Sequence, residues 1–366
     1  MLFAEGEESA MYRVQERYMQ SICSSQPTED IFYHLGSLRK VYVVEYLALT
    51  KKQWLVNQLK RNLFAKETFI LLVDPIHPEG VQGLIVESLG IGFIDQSVFR
   101  ELQLTMPCPT YELMWRKGQV LDDERIRWFL TEKQVCVTQA SEKLLQARSY
   151  LDSIKRIYHI SMKQETLSLL LKDIVFDLFS AKEIKRQSFQ GVAISYFGSN
   201  NRTRFHHMLQ RPKKSIERYI ILKGCTGTGK TKILAALAVV AIALHLSVEI
   251  YRCPFYTESL DAIILPELQT AIIDGSAPHM HEPTHPNDSY FVLEEYGIDK
   301  ETLHSFALEL KEANHHYKNS MRHAQFFLQE AKHMHEQAVY ALNQSQCSWL
   351  DRVVEDWDHL IKNVEK

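Results

Sequence analysis

Ile220-Ile221-Leu222-Lys223-Gly224-Cys225-Thr226-Gly227-Thr228-Gly229-Lys230-Thr231 is the stretch whose reading decides the fold. It contains a complete G-x-x-x-x-G-K-T pattern, and its flanks carry as much weight as the match. The apolar segment Tyr219 to Leu222 reads as a buried strand, and the Ala/Leu-rich run Lys232 to Ala241 reads as a helix. Strand, glycine loop and helix in that order form the setting of a phosphate-binding loop. Gly224, Gly227 and Gly229 let successive backbone N–H groups turn inward towards an anion. The following helix start adds unpaired N–H groups and the positive end of its dipole. Lys230 has the reach for β- and γ-phosphates, and the Thr231 hydroxyl suits Mg²⁺.

Around this loop the composition is ordinary. The chain has 366 residues, 45% hydrophobic and 24% charged, which leaves room for two domains. A net charge of -3 carries no nucleic-acid footprint. The six cysteines include no C-x-x-C pair and read as reduced thiols. The acidic stretch Met1 to Glu8 lacks a signal-peptide pattern. Ile233 to Leu244 is apolar throughout, but twelve residues are too few to span a bilayer. The expectation is a cytoplasmic protein that engages neither membrane nor nucleic acid.

Working outward from the loop exposes an internal likeness. With a constant offset of 179, Pro75 to Ser97 aligns without gaps on Pro254 to Ser276. The identities are Pro75/Pro254, Glu79/Glu258, Ile85/Ile264, Leu89/Leu268, Ile94/Ile273, Asp95/Asp274 and Ser97/Ser276, well above the chance level for 23 positions. Val41 to Val44 then corresponds to the strand before the loop, and Phe69 to Val73 corresponds to Val248 to Arg252. Where the second half has its glycines, the first has Glu45 to Trp54, with Lys51 and Lys52 but no glycine to let N–H groups converge. The first half therefore reads as a degenerate copy, kept for packing or partner binding.

Each half continues into a long helical stretch, near 124–160 and 299–345. In the second, Leu303, Phe306, Leu310, Ala313, Tyr317, Met321, Ala324, Leu328, Ala331, His335, Ala338 and Leu342 recur at spacings of three and four, an apolar seam suited to a helical hairpin or coiled coil. Trp349 to Val364 reads as a further amphipathic helix, with Leu167 to Phe179 as its first-half counterpart packing back on the core. The expected fold is α/β: two tandem P-loop NTPase-like three-layer units, each with a long coiled-coil-like helical insertion. Residues 1–190 form the degenerate domain and 191–366 the P-loop domain.

A phosphate loop normally has an acid at the end of a neighbouring strand. Ala271-Ile272-Ile273-Asp274 has that form, so Asp274 is a candidate for Mg²⁺ together with Thr231. The alternative is an Asp-Gly turn with Gly275, and Asp95, which keeps the acid in a half without the loop, argues for a structural share. Asp261 and Glu267 are weaker candidates for positioning substrate or water. His279, His281, Glu282 and His285 lie close together, but their spacing fits no zinc pattern, and a polar loop over the site is the better reading. Arg202, Arg204, Arg211, Lys213 and Lys214 form a basic stretch that reads as solvated surface or as the source of an arginine finger.

The loop, followed by Tyr251-Arg252-Cys253-Pro254, Ser259 to Leu268 and Ala271 to His279, resembles a family of tandem P-loop proteins from spore-forming Gram-positive bacteria, labelled hypothetical ATPases or nucleotide kinases. The likeness covers essentially the whole chain. It implies nucleoside-triphosphate binding but names no substrate. In that family the first repeat can also carry a glycine loop, from which this chain departs. The expected function is therefore Mg-dependent binding and slow hydrolysis of ATP (or GTP). Gly224, Cys225, Thr226, Gly227, Thr228, Gly229, Lys230 and Thr231 would hold the phosphates, and Lys230 and Asp274 would support catalysis. The alternatives are a nucleotide or small-molecule kinase with an acceptor pocket between Asp261 and His285, and a non-hydrolysing interaction protein whose helical arms bind partners.

Overall fold

The computed structural model of the protein describes residues 14–18, 35, 38–44, 69–74, 80–86, 88–96, 99, 111–113, 124–180, 191–196, 216–253, 255–277 and 280–344. The glycine-free stretch at 45–54, the basic stretch at 202–214, His279 and the tail helix lie outside them. The fold is mixed α/β, with two six-stranded sheets and six helices among the described residues. The described residues fall into two compact units. One is built from residues up to 138 together with those from 327 on, and the other from residues 139–326.

The first unit contains β1 (Val14–Tyr18), β2 (Lys40–Val44), β3 (Phe69–Val73), β4 (Val81–Val86), β5 (Ile91–Asp95) and β6 (Tyr111–Leu113). Their order across the sheet is β1-β3-β4-β5-β2-β6. Val41, Val43, Ile70, Leu72, Ile85 and Ile94 pack together with Leu35, Leu38 and Phe99. Tyr42 and Phe93, both buried, stack with ring centroids 5.3 Å apart.

The chain then forms two helices, α1 (Glu124–Ser161) and α2 (Gln164–Phe179). The second sheet contains β7 (Val192–Tyr196), β8 (Arg218–Lys223), β9 (Val248–Arg252), β10 (Leu260–Leu265), β11 (Thr270–Asp274) and β12 (Ser289–Val292). Its remaining helices are α3 (Lys230–Ala243), α4 (Leu293–Gly297), α5 (Lys300–Ser305) and α6 (Ala307–Gln344). Phe306 separates α5 from α6, so the stretch expected as one helix begins with a separate short turn whose start is capped by Asp299.

The second sheet runs β12-β8-β11-β10-β9-β7, which is the order of the first with each strand replaced by its counterpart. The pairing senses agree too, with β10 antiparallel to both neighbours as β4 is, and every other pair parallel. Even an irregularity is shared. Pairing skips Gln82 between Val81 and Gly83, and skips Asp261 between Leu260 and Ala262. A β-bulge therefore sits at the same place in both sheets.

In the second unit the central strands β8, β10 and β11 are covered on both faces. Ile220, Leu222, Ile263, Leu265 and Ile272 share one core with α2 and α3, while Ile221, Ala262, Ile264, Ala271 and Ile273 pack on the other side. Helix α2 contributes Leu167, Leu170, Ile174 and Leu178 to the core around β8. It thus belongs with β8 and not with the first-half core. The physical reason is continuity: only two residues separate α2 from the end of α1, and the Lys163 N–H donates to Gly297 O at 2.8 Å. Helix α3 ends on His245 at φ 56°, with Leu246 N–H donating to Ala241 O and His245 N–H to Ile242 O, which closes its last carbonyls in a left-handed cap.

The seam on α6 is made of small residues. Ala313, Ala324, Ala331 and Ala338 are buried, as are Ala140, Leu144 and Ala147 on α1. In the first unit Ile126 packs with Ala338, Ala341 and Leu342. Nearby, Lys133 on α1 donates to Asp74 at 3.0 Å and lies 3.3 Å from Nδ1 of His335 on α6. Asp74 and His335 are each only 1% exposed, so this contact fastens both helices to the end of β3. We expect Asp74→Ala to destabilise the protein by about 3 kcal/mol, because it strands a lysine in a buried site, as read from urea unfolding.

Candidate functional site

The three parallel strands β11, β8 and β12 end side by side, with Leu222 opposite Asp274 and Lys223 opposite Val292. The segments leaving them are therefore forced together: Gly224 to Gly229, Gly275 to Ser276, and Leu293 to Glu294. The loop glycines adopt conformations that other residues avoid, with φ of 150° at Gly224, 90° at Gly227 and 109° at Gly229. Each is also pressed by a different element. A Cβ at Gly224 would meet Thr228 and Glu294, one at Gly227 the backbone of Lys155 on α1, and one at Gly229 the side chain of Leu167 on α2.

Helix α3 starts immediately after, with Gly229 as its N-cap. Its first intrahelical bond runs from Ile233 N–H to Gly229 O, leaving the N–H groups of Lys230, Thr231 and Lys232 without acceptors inside the helix. The Lys230 ammonium is buried within the curl and donates to the carbonyls of Gly224 and Cys225, the latter at 3.0 Å. Its Nζ lies 3.5 Å from Asp274 Oδ2. This arrangement presents one fixed cation, a helix start and a half-buried carboxylate at the end of a strand.

Asp274 is held from its own turn: Ser276 N–H donates to Oδ1 at 2.9 Å. Ser276 also clamps the loop, its hydroxyl accepting from Gly224 N–H and donating to Gly224 O. Burial pushes the Asp274 carboxyl above its usual range; Lys230 opposes that and Asp261 adds to it. Asp261 thus lies beside Asp274, as their places on antiparallel β10 and β11 require, and it is 5% exposed. The neighbouring Leu260 N–H donates to Thr231 Oγ1 at 3.4 Å. Burial, reinforced by the Asp261 charge, pushes the Cys253 thiol well up. Lys230, Thr231, Asp274 and Asp261 therefore gather at one end of the sheet.

Glu267 does not join them. It lies in the turn before β11, and β11 begins opposite the start of β8, so Glu267 is at the far end of the sheet, where it accepts from Ser247 N–H at 2.9 Å. The histidine loop is held by other groups. Lys223 pairs with Glu282 at 2.6 Å, and Tyr219 lies against His281 with ring centroids 5.3 Å apart. Among the described residues no group of three or more His, Cys, Asp or Glu is placed to hold a metal ion. No helix among them is long and apolar enough to cross a membrane.

Four contact residues escaped the sequence reading. Ser276 had a signal, being identical to Ser97 across the two halves. Glu294 follows directly on the short apolar strand β12, and its Oε1 accepts from Cys225 N–H at 2.6 Å. Lys155 and Tyr158 come from α1 and have no local signal. The Tyr158 hydroxyl bonds to the Cys225 thiol, and both groups are raised above their usual pKa range, chiefly by burial. Helix α1 also grips the loop after β9. Arg148 makes a forked contact with Glu258 at 2.8 and 2.9 Å, and Tyr256 bonds to Asp152 beneath the Lys155 ammonium.

The chain matches no protein-family model, and neither a curated protein nor a solved structure shows significant similarity to it.

Asp288 anchors the opposite end of the sheet, where β12 begins beside the start of β8. Burial disfavours its charge, but the backbone N–H groups of Thr284, Tyr219 and His285 outweigh that and lower its pKa. A carboxylate depressed in the folded state stabilises above its unfolded pKa, and that advantage disappears as pH falls through the folded value. We expect Asp288→Asn to lower the urea midpoint at neutral pH and to converge on wild type as pH falls through the depressed carboxylate value, as measured by denaturation across pH.

Proposed function

We propose that the protein binds a Mg²⁺-complexed nucleoside triphosphate, ATP or GTP, through residues 224–231 and hydrolyses it slowly. The observation that carries this reading is the setting of Lys230. It stands at the first turn of α3, buried inside a loop of three left-handed glycines, and it is fixed by that loop's own carbonyls. Asp274 at 3.5 Å gives this buried ammonium one carboxylate neighbour, and a polyphosphate seated in the loop would add further anionic oxygens around it.

The donor set also fits a hard cation, since Thr231 offers a hydroxyl and Asp274 a carboxylate. Bound there, Mg²⁺ would neutralise charge on the phosphate oxygens. Thr231 and Asp274 would hold it, with Asp261 beside them keeping the carboxylates electrostatically coupled. Lys230 and the N–H groups at the start of α3 would stabilise negative charge as the terminal phosphoryl group leaves. Positioning and electrostatics then supply the catalysis, and no covalent intermediate is needed.

The same reading extends to the fold. We take the chain to be a tandem repeat of P-loop NTPase-like units, consistent with the resemblance noted above, with the first lacking its phosphate loop. Helices α1 and α6 serve as coiled-coil-like arms through which a protein partner is engaged, and the protein works in the cytoplasm. Calorimetric titration with Mg·ATP and Mg·GTP tests the site. One nucleotide should bind per chain, Lys230→Ala should abolish binding, and Asp274→Asn should reduce phosphate release by about a hundredfold. Two sites per chain, or binding that survives Lys230→Ala, would refute this assignment.

A further inference from the structure

The phosphate loop carries an anion of its own. Extending the parallel register of β12 and β8 past Val292 and Lys223 brings Glu294 level with Cys225. There Glu294 Oε1 accepts from the Cys225 N–H at 2.6 Å, the length of a strong charge-assisted bond. The carboxylate presses against Gly224 as well, within 2.9 Å of where a Cβ on that glycine would lie. Its other oxygen is buried, and no donor among the described residues reaches it. One backbone bond, a weak bond from the Cys225 thiol and one stranded oxygen make a poor resting place for a full charge.

The backbone under Glu294 is fixed. Leu293 is fully buried, and Gly297 O accepts from Lys163 N–H at 2.8 Å, so α4 is pinned at both ends. Glu294 can leave the loop only by rotating its side chain, which is a fast and local motion. A polyphosphate arriving at the same loop meets both a donor already engaged and a like charge at close range.

We propose that Glu294 is a built-in competitor for the phosphate loop: its carboxylate bonds the Cys225 N–H and must swing away before the nucleotide's phosphates seat, which sets the affinity of the site below its intrinsic value. This rests on the nucleotide-binding reading above and assigns the regulation of that site. The apparent dissociation constant then equals the intrinsic one divided by the fraction of molecules in which Glu294 has left the loop.

The experiment is titration of Mg·ATP into wild type, Glu294→Gln, Glu294→Ala, Glu295→Gln and Lys230→Ala, each checked for an unchanged melting transition. Glu295 is the exposed neighbour on the same turn, so its variant removes an equal charge without touching the loop. Glu294→Gln and Glu294→Ala should bind about tenfold more tightly than wild type, the scale of one hydrogen bond to a charged group, while Glu295→Gln should not change. Equal affinity in wild type and both Glu294 variants overturns the competitor and leaves the nucleotide site standing. An equal gain in Glu295→Gln also overturns it, because general repulsion would then account for the effect. No binding in any protein refutes the nucleotide site itself, and the competitor with it. Binding by the Glu294 variants alone supports both.

Discussion

The structure of the second unit depends on β8 being flanked by a parallel strand on each side. Pairing with β11 and β12 engages both edges of β8, and its residues Ile220 to Leu222 are enclosed on both faces. Parallel neighbours must all end at the same edge of the sheet. Gly224, Ser276 and Glu294 come from segments far apart in the chain, yet they meet because each stands within two residues of the end of one of these strands. Ligand sites in sheets of this kind arise outside the carboxyl ends of the strands for the same reason. The left-handed glycines then let the loop close tightly enough for Lys230 to bond its carbonyls.

What could be read in the sequence follows from how local each cause is. Strand β8, the loop and α3 announce themselves through a contiguous pattern, and so does the paired course of β3 to β5 and β9 to β11. Asp274 could be placed because an apolar strand ends on it. Glu267 was a weaker candidate for positioning substrate or water, since nothing in the short run Leu-Pro-Glu-Leu says which end of the sheet it faces; only the antiparallel turn between β10 and β11 decides that. Lys155, Tyr158 and Leu167 were illegible for a different reason. They reach the loop only because α1 and α2 lie across it, and no spacing rule reports a contact between residues some seventy positions apart. Helix α2 was read as the first-half counterpart of the tail helix; its buried stripe was plain in the sequence, but the partner it packs on, β8, was not.

The long helices show packing set by side-chain size. The buried positions of α6 are largely alanine, which contributes little apolar area per residue. Such a seam needs fixed points, and the charged contact of Lys133 with Asp74 and His335 provides one in the first unit. In the second unit Arg148, Asp152 and Lys155 do the equivalent from α1, closing around Tyr256 and Glu258. Each unit thus anchors its portion of helix through the loop that follows its third strand, by ionic contacts in one case and by an aromatic ring among charges in the other.

The bulge that skips Gln82 in one sheet and Asp261 in the other separates architecture from chemistry. A residue outside the ladder's pairing is not needed to hold the strands in register, so the backbone constrains its presence more than its identity. In one sheet that place is an amide whose buried oxygen has no donor among the described residues; in the other it is an acid beside Asp274. Exchange of a single side chain at such a place can add or remove a negative charge at the strand ends while every ladder bond stays intact. Two copies of one scaffold can then diverge from inert to reactive, or back again, without either having to refold.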